Sequence, residues 1–508
     1  MTRHLVLLLA LLGLSGPALA SPGSGGSAQG LLAPEATRAF LARPAQGPVW
    51  TADRLTSLLA ALDGLARHGL DPAHYHRTEL GRADLTVERR DLLATDAWLS
   101  AAAHLLYGKL DPRTVEPNWT AARREADLAG ALTDALKAGS IQAGLEQLAP
   151  SQPGYAALLA EFAALRAAGN ETVRQIPPGE ALKPGMTGDR VLATQERLAQ
   201  LGLLAADHRT GRMDEPTVAA IETLQTMMGL DADGTVGSAT RAALNRGNEE
   251  RLQQLRVNLE RWRWLPADLG RRHVRANIAG FTLSTYEDGV LQRTHLTIVG
   301  KVVRKTPVFS DEIEYMVFNP WWETPDNLAR ADKLPAFKRD PASVDRLGFQ
   351  VLDRTGQRVD ANTIDWAGLT ASTFPYRLRQ APGDQNALGQ VKIIFPNPYN
   401  VYIHDTPTRG LFAQQQRAFS SGCMRTQDPI GLATWLLEET PGWDRARIDG
   451  TVRSGKETRA TLKERVPVHI LYFTVVADQG GAIRYLDDVY GRDPAVRAGL
   501  DRPPGGGP

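Results

Sequence analysis

The sequence predicts an α+β multidomain chain, helical in its first third, made of short helices in a small middle module, and rich in strands thereafter. Three observations predict this. Leucines recur at helical spacing before residue 170. A weak internal repeat follows, with Gly211 to Gly234 and Thr217 to Thr240 both 23 residues apart. From Val274 onward, apolar residues alternate as they do in half-buried strands.

The chain opens with Met1-Thr2-Arg3-His4, an apolar run from Leu5 to Leu14, and an ending at Ala18-Leu19-Ala20. This pattern reads as a cleavable secretory signal over residues 1–20, because the run is well short of the roughly 20 residues that a membrane span needs. The expected protein is exported, not membrane-spanning, and begins near Ser21. The length of 508 residues leaves room for about two to four domains. Net charge is +1, from 58 basic and 57 acidic residues, so charge points to neither nucleic acid nor an anionic membrane.

Residues 21–48 are rich in Gly, Ser, Ala and Pro and read as a linker. A helical domain is expected over 49–175. Leu55, Leu58, Leu59, Leu62 and Leu65 mark one helix closed by Gly69, and Asp91–Tyr107 a second. Leu128 to Leu148 and Tyr155 to Ala168 supply two further patterns. His68, His74 and His76 fall close together, but no acidic or cysteine partner stands at ligand spacing, so no metal site is expected. Ile176-Pro177-Pro178-Gly179 marks a boundary. The repeat then occupies 180–246, pairing Gln195, Gly211 and Thr217 with Gln225, Gly234 and Thr240. Asp231-Ala232-Asp233-Gly234 lacks the later glutamate of a calcium loop and reads as a turn.

The last domain is expected over 250–495. Glu249 to Trp264 reads as a linking helix. Strands follow at Val274–Ile278, Phe281–Leu283, Leu296–Val299, Tyr315–Phe318, Val391–Phe395, Val401–His404 and Val466–Val476. Prolines at 325, 335, 341, 375 and 382 break residues 323–387 into an expected insertion. A helix is expected at Pro429–Glu438, and residues 496–508 read as a disordered tail.

Cys423 is the only cysteine, and His404 stands nineteen residues before it. A free thiol is mostly protonated at neutral pH, so a nucleophilic cysteine needs a base, and His404 is the candidate. Gly422 permits a sharp turn that brings backbone N–H groups near a reacting carbonyl, as an oxyanion site requires. Asp405, by its side chain or its carbonyl, is the candidate that orients His404. Arg425, Ser421 and Tyr402 are the candidate substrate contacts. Arg409 and Arg417 read as solvated charges, and His469 as a sheet residue.

The run His404-Asp405-Thr406 through Ser420-Ser421-Gly422-Cys423-Met424-Arg425 resembles the catalytic motif of the L,D-transpeptidases. Gly300-Lys301, Lys305-Thr306-Pro307-Val308 and Asn319-Pro320-Trp321-Trp322-Glu323-Thr324-Pro325 agree with it. Lys183–Asn245 resembles the peptidoglycan-binding module of cell-wall enzymes, with Thr210-Gly211 where Asp-Gly is usual. The order of parts resembles the large periplasmic members of the family, and smaller members often carry a histidine where Ser421 stands. The resemblance implies a helical scaffold, a three-helix module and a β-rich catalytic domain with a capping insertion. It also implies 3→3 cross-linking of peptidoglycan stem peptides through a thioester on Cys423, sensitivity to carbapenems, and no metal or cofactor.

Water or an anchored lipoprotein as acceptor would make the enzyme a carboxypeptidase or an anchoring enzyme, and sequence does not separate these. A non-catalytic wall-binding scaffold would have no need of Cys423 and His404. A papain-like protease lacks a recognisable third residue. Oligomeric state is not written in the sequence.

Overall fold

The computed structural model describes residues 30–43, 48–169 and 173–504. The expected signal segment, residues 21–29 and 44–47 of the expected linker, and the last four residues lie outside them.

The first third is helical. Ala52–Gly64 continues as a 3-10 turn, Leu65–His68, and ends at Gly69, whose φ of 73° gives the left-handed cap that glycine favours. Val87–Tyr107 is the central helix, with Leu93, Trp98, Leu99 and Leu105 buried. The expected Leu128–Leu148 pattern is two helices, Leu128–Ala138 and Ile141–Glu146, separated at Gly139 with φ of 64°. Part of the expected linker is folded as well. Pro34–Leu41 is a helix that buries Thr37 and Phe40. Buried Asp96 holds it in place by accepting from Leu32 N, Ala33 N and Thr37 Oγ1 at 2.8, 2.8 and 3.0 Å. A composition rich in small residues therefore does not prevent order where a buried carboxylate gathers the backbone donors.

In the small module the repeat has a physical cause. Gln195 receives Gly211 N on its Oε1 at 2.9 Å and donates to Thr217 Oγ1 at 2.9 Å. Gln225 does the same with Gly234 N at 2.9 Å and Thr240 Oγ1 at 3.1 Å. Each glutamine amide ties its following loop to the next helix, so Gln, Gly and Thr recur together. Asp233 Oδ1 accepts from Gln225 Nε2 and Thr235 N, which closes the turn at Asp231–Gly234.

The expected linking helix, Asn248–Arg263, is the spine of the molecule. Val257 and Trp264 enter the scaffold core, whereas Leu255, Leu259, Trp262 and Leu265 enter the core shared with the module and with Leu471, Phe473 and Val475. Glu260 and Arg263, both fully buried, pair at 2.7 Å, and Glu260 also accepts from Leu110 N and Trp264 Nε1.

The last domain is built on a nine-stranded sheet. Its strands are Arg272–Asn277, Thr282–Glu287, Val290–Gly300, Phe309–Phe318, Val391–Ile394, Ile403–His404, Ala418–Ser420, Met424–Thr426 and Thr458–Leu471. The sheet curls closed, because Val290–Gly300 pairs both with Thr282–Glu287 and with Met424–Thr426. Phe309–Phe318 pairs directly with Val391–Ile394, so everything between them is spliced into one edge of the ladder. That insertion folds on its own four-stranded sheet with a separate core around Phe337, Phe349, Trp366 and Phe374. The expected disordered tail begins inside a helix, Asp493–Asp501, with Val496 and Leu500 buried against the scaffold. Lys109 Nζ fastens its end by donating to Leu500 O at 2.7 Å and Arg502 O at 2.6 Å.

Candidate active site

Register brings the cysteine and histidine to one face. Ile403 pairs with Met424 and His404 with Arg425 in parallel, while His404 pairs with Lys392 antiparallel. Ile403 and Met424 are fully buried in the domain core. Side chains alternate along a strand, so Tyr402, His404 and Arg425 face the other way, as does Cys423, one residue before Met424. Lys392, between the core residues Val391 and Ile393, joins them there.

The cysteine turn is held by neighbours on both sides. Gly422 has a φ of 125°, a conformation that requires glycine. Ser420 Oγ accepts from Gly422 N at 3.1 Å and donates to Cys423 O at 2.5 Å. Thr306 Oγ1 donates to Gly422 O at 2.8 Å and accepts from Gly300 N at 2.9 Å. The Gly422 N–H, expected as an oxyanion donor, is thereby committed to Ser420. The N–H of Cys423 is a different case. It lies in the same trans peptide plane as Gly422 O and points away from Thr306. Among the described residues nothing accepts from it.

Cys423 is half-buried, and its Sγ lies 3.5 Å from Asn400 O, in reach of a weak thiol hydrogen bond. Burial pushes the thiol up from its ordinary 9.0, against the pull of the Tyr402 backbone N–H and hydroxyl and the charges of Lys392 and Arg425. Tyr402, expected as a substrate contact, thus sits on the sulfur itself. Its own hydroxyl is driven up, chiefly by burial.

His404 Nδ1 lies 2.5 Å from Asp405 O. A carbonyl only accepts, so Nδ1 carries the proton and Nε2 the lone pair. Burial, with Arg425 and Lys392 nearby, brings the imidazole down to about 3, so it is neutral at pH 7. The Asp405 carboxylate is turned elsewhere, to Gln390 N at 2.9 Å and Arg409 Nη2 at 3.0 Å. The orienting group is therefore the carbonyl of Asp405.

Arg425 Nη1 donates to Thr408 Oγ1 at 3.3 Å, and its buried Nε has no partner. Lys333 reaches in from the insertion, 5.1 Å from the rings of both Trp322 and Phe349. Among the described residues Arg425, Lys392 and Lys333 form no ion pair, which leaves three cations open to an anionic ligand. Ser421, the remaining expected contact, accepts from Arg304 Nη1 at 3.0 Å, and Arg304 also pairs with Asp332 of the insertion at 2.7 Å. Arg417 bonds Gln414 O and lies over Phe281, away from the sulfur. His469 is held between Ser310 Oγ and Leu269 O, both at 2.9 Å, inside the sheet. His68 bonds Tyr155 and Glu146, His74 meets Lys109, and His76 meets Asp96, so the three do not converge.

Ser420 and Thr306 stand in the motif runs with no role assigned from sequence, and Lys392 and Lys333 carry no sequence signal of the site. A lysine between strand apolars reads as a solvent-facing residue, and only the pairing of His404 with Lys392 places it at the site.

Residues 271–452 match the family described as "L,D-transpeptidase catalytic domain". Residues 187–244 match the family described as "Putative peptidoglycan binding domain", and 35–161 match a scaffold domain whose match begins inside the expected linker. A Haemophilus influenzae protein named "Putative L,D-transpeptidase" is 39% identical over 241 residues, covering 47% of this chain and 48% of that one. The chain thus aligns with about half the length of this relative. Among solved structures, an L,D-transpeptidase of Xylanimonas cellulosilytica is 16% identical with a TM-score of 0.19, covering 58% of this chain and 99% of that one. One from Stackebrandtia nassauensis is 13% identical with a TM-score of 0.21, covering 59% and 97%. L,D-transpeptidase 1 of Mycobacterium tuberculosis is 13% identical with a TM-score of 0.16, covering 41% and 63%. At those scores the three carry no argument. Among the described residues no helix is long and apolar enough to cross a membrane.

Proposed function

We propose that this L,D-transpeptidase-domain protein is an exported, periplasmic enzyme that joins peptidoglycan stem peptides by 3→3 cross-links through a Cys423 thioester. The observation that carries the reading is the shared face of Cys423 and His404, with Nε2 of a neutral imidazole free to accept the thiol proton. The sulfur attacks the carbonyl of the third stem residue. His404 takes the thiol proton and passes it to the departing nitrogen as the bond to the terminal D-alanine breaks. The Cys423 N–H is the free backbone donor for the developing oxyanion, a contribution of roughly 3–4 kcal/mol for such a donor. The side-chain amine of a neighbouring stem then attacks the thioester, its proton leaves through His404, and the thiol is restored.

Arg425, Lys392 and Lys333 supply the charge that holds stem carboxylates beside the sulfur, and the insertion caps the site. The match of residues 187–244 to a putative peptidoglycan-binding family supports a cell-wall substrate, and in this reading the small module holds the enzyme against it. No metal or cofactor is assigned a role.

The test is to incubate the protein with tetrapeptide-rich peptidoglycan and analyse the muropeptides by mass spectrometry. The reading predicts 3→3 dimers from the wild type and none from Cys423→Ala. Tripeptides without dimers would replace it with hydrolysis.

A further inference from the structure

The scaffold domain reaches the catalytic cysteine. A cavity of about 280 Å³ is lined by Cys423, Gly422, Ser421, Asn400, Tyr399 and Lys305 on the catalytic side, and by Asn118 from the scaffold. Asn118 is half-buried, and among the described residues its side-chain amide has no hydrogen-bond partner.

Its backbone, by contrast, is fixed at both ends. Two residues earlier, Glu116 pairs with Arg492 at 2.8 Å, with both side chains largely buried. Two residues later, Thr120 Oγ1 accepts from Ser310 N at 2.9 Å and donates to Ser310 O at 2.7 Å. Between them the Trp119 ring lies edge-on to Trp264 at 5.8 Å and touches the cores of all three domains. An unpartnered amide on a clamped segment that lines a cavity shared with a reactive sulfur is arranged to contact a ligand rather than to stabilise the fold. Lys305 adds a positive charge to the same wall, with its Nζ donating to Tyr490 O at 2.8 Å and keeping further donors available.

We propose that Asn118 is a substrate-positioning residue supplied by the scaffold domain, which donates from its side-chain amide to a carboxylate-bearing stretch of the stem peptide lying over Lys305. The proposal rests on the acyl-transfer reading of Cys423. It makes the catalytic site a two-domain structure, in which the scaffold orients the peptide instead of merely carrying the catalytic domain.

The experiment uses the full chain and a soluble tetrapeptide stem, compared with the same peptide carrying a carboxamide at its C-terminus and with one amidated at its internal carboxylates. For Asn118→Ala, kcat/KM on the free-acid peptide should fall by about 3- to 10-fold, mostly through KM, as loss of one hydrogen bond to the substrate predicts. Asn118→Asp keeps the shape, removes the donor and adds a repelling charge. It should fall further on the free-acid peptide and recover on whichever amidated peptide lacks the recognised carboxylate. The thermal midpoint of Asn118→Asp should match that of wild type. Wild-type kinetics in both variants would overturn the proposal, as would a loss equal on all three peptides. A wild type that makes no acyl-enzyme or product with any peptide would instead overturn the acyl-transfer reading, and this proposal with it.

Discussion

The ionisation state of Cys423 gives the sharpest quantitative expectation. Many cysteine nucleophiles rest as a thiolate beside an imidazolium, and their reactivity is then flat across neutral pH. Here the cysteine and histidine are displaced in opposite directions. Burial holds His404 neutral, down to about 3, and pushes Cys423 up from 9.0. A thiol of pKa 9.0 is about 1% thiolate at pH 7, and Cys423 holds less. The resting site is therefore neutral thiol beside neutral imidazole. Alkylation by iodoacetamide, which follows the thiolate, should rise about tenfold per pH unit, hence about 100-fold between pH 6 and 8, without a plateau. The assay is the rate of single-site labelling of the lone cysteine, followed by intact-protein mass spectrometry. A rate constant that is level from pH 5 to 8 would refute the neutral pair and require an ion pair instead.

Gly389→Ala should damage catalysis from a distance. Its φ is +57° and an added Cβ would lie 2.3 Å from Asp405 Oδ2, so the segment whose carbonyl holds His404 must shift. Cross-linking should fall by about 10- to 100-fold, while Gly410→Ala, with open space around it, should leave the rate unchanged. In the small module, Gln225→Ala removes the partners of Gly234 N and Thr240 Oγ1, and should cost about 2–3 kcal/mol in urea unfolding of the module. A loss below about 0.5 kcal/mol would sink that account of the repeat. Acid should destabilise the whole chain. Burial lowers His104 to about 3, His404 to about 3 and His273 to about 4, whereas the unfolded chain protonates them near 6.5. Between those values the unfolded state binds more protons, so stability falls as pH drops below 6.5, by up to about 2–3 kcal/mol per histidine at pH 4.5. Equal urea midpoints at pH 7 and 4.5 would contradict this.

The readable parts of the sequence were those with a local signature. Helical leucines, the Gln-Gly-Thr repeat and the pair of His404 and Cys423 all declare themselves over short stretches. What was not readable depends on partners far away. Pro34–Leu41 owes its order to Asp96, and Asp493–Asp501 packs on a scaffold nearly four hundred residues earlier. Ala418–Ser420 and Met424–Thr426 are three-residue strands, too short to show alternation, yet they frame the cysteine. Asp405 was legible as a neighbour of His404, but whether its carboxylate or its carbonyl acts was decided by Gln390 and Arg409, which occupy the carboxylate. Asn118 carries no motif at all.

The central claim is a thioester on Cys423, and trapping it tests that claim most directly. The protein, mixed with tetrapeptide stem, quenched in acid and weighed intact, should gain the mass of the stem without its terminal D-alanine. Proteolysis should place the adduct on the peptide containing Cys423, and Cys423→Ala should gain nothing. Cross-linked product from Cys423→Ala, or an adduct on any other residue, would contradict the account.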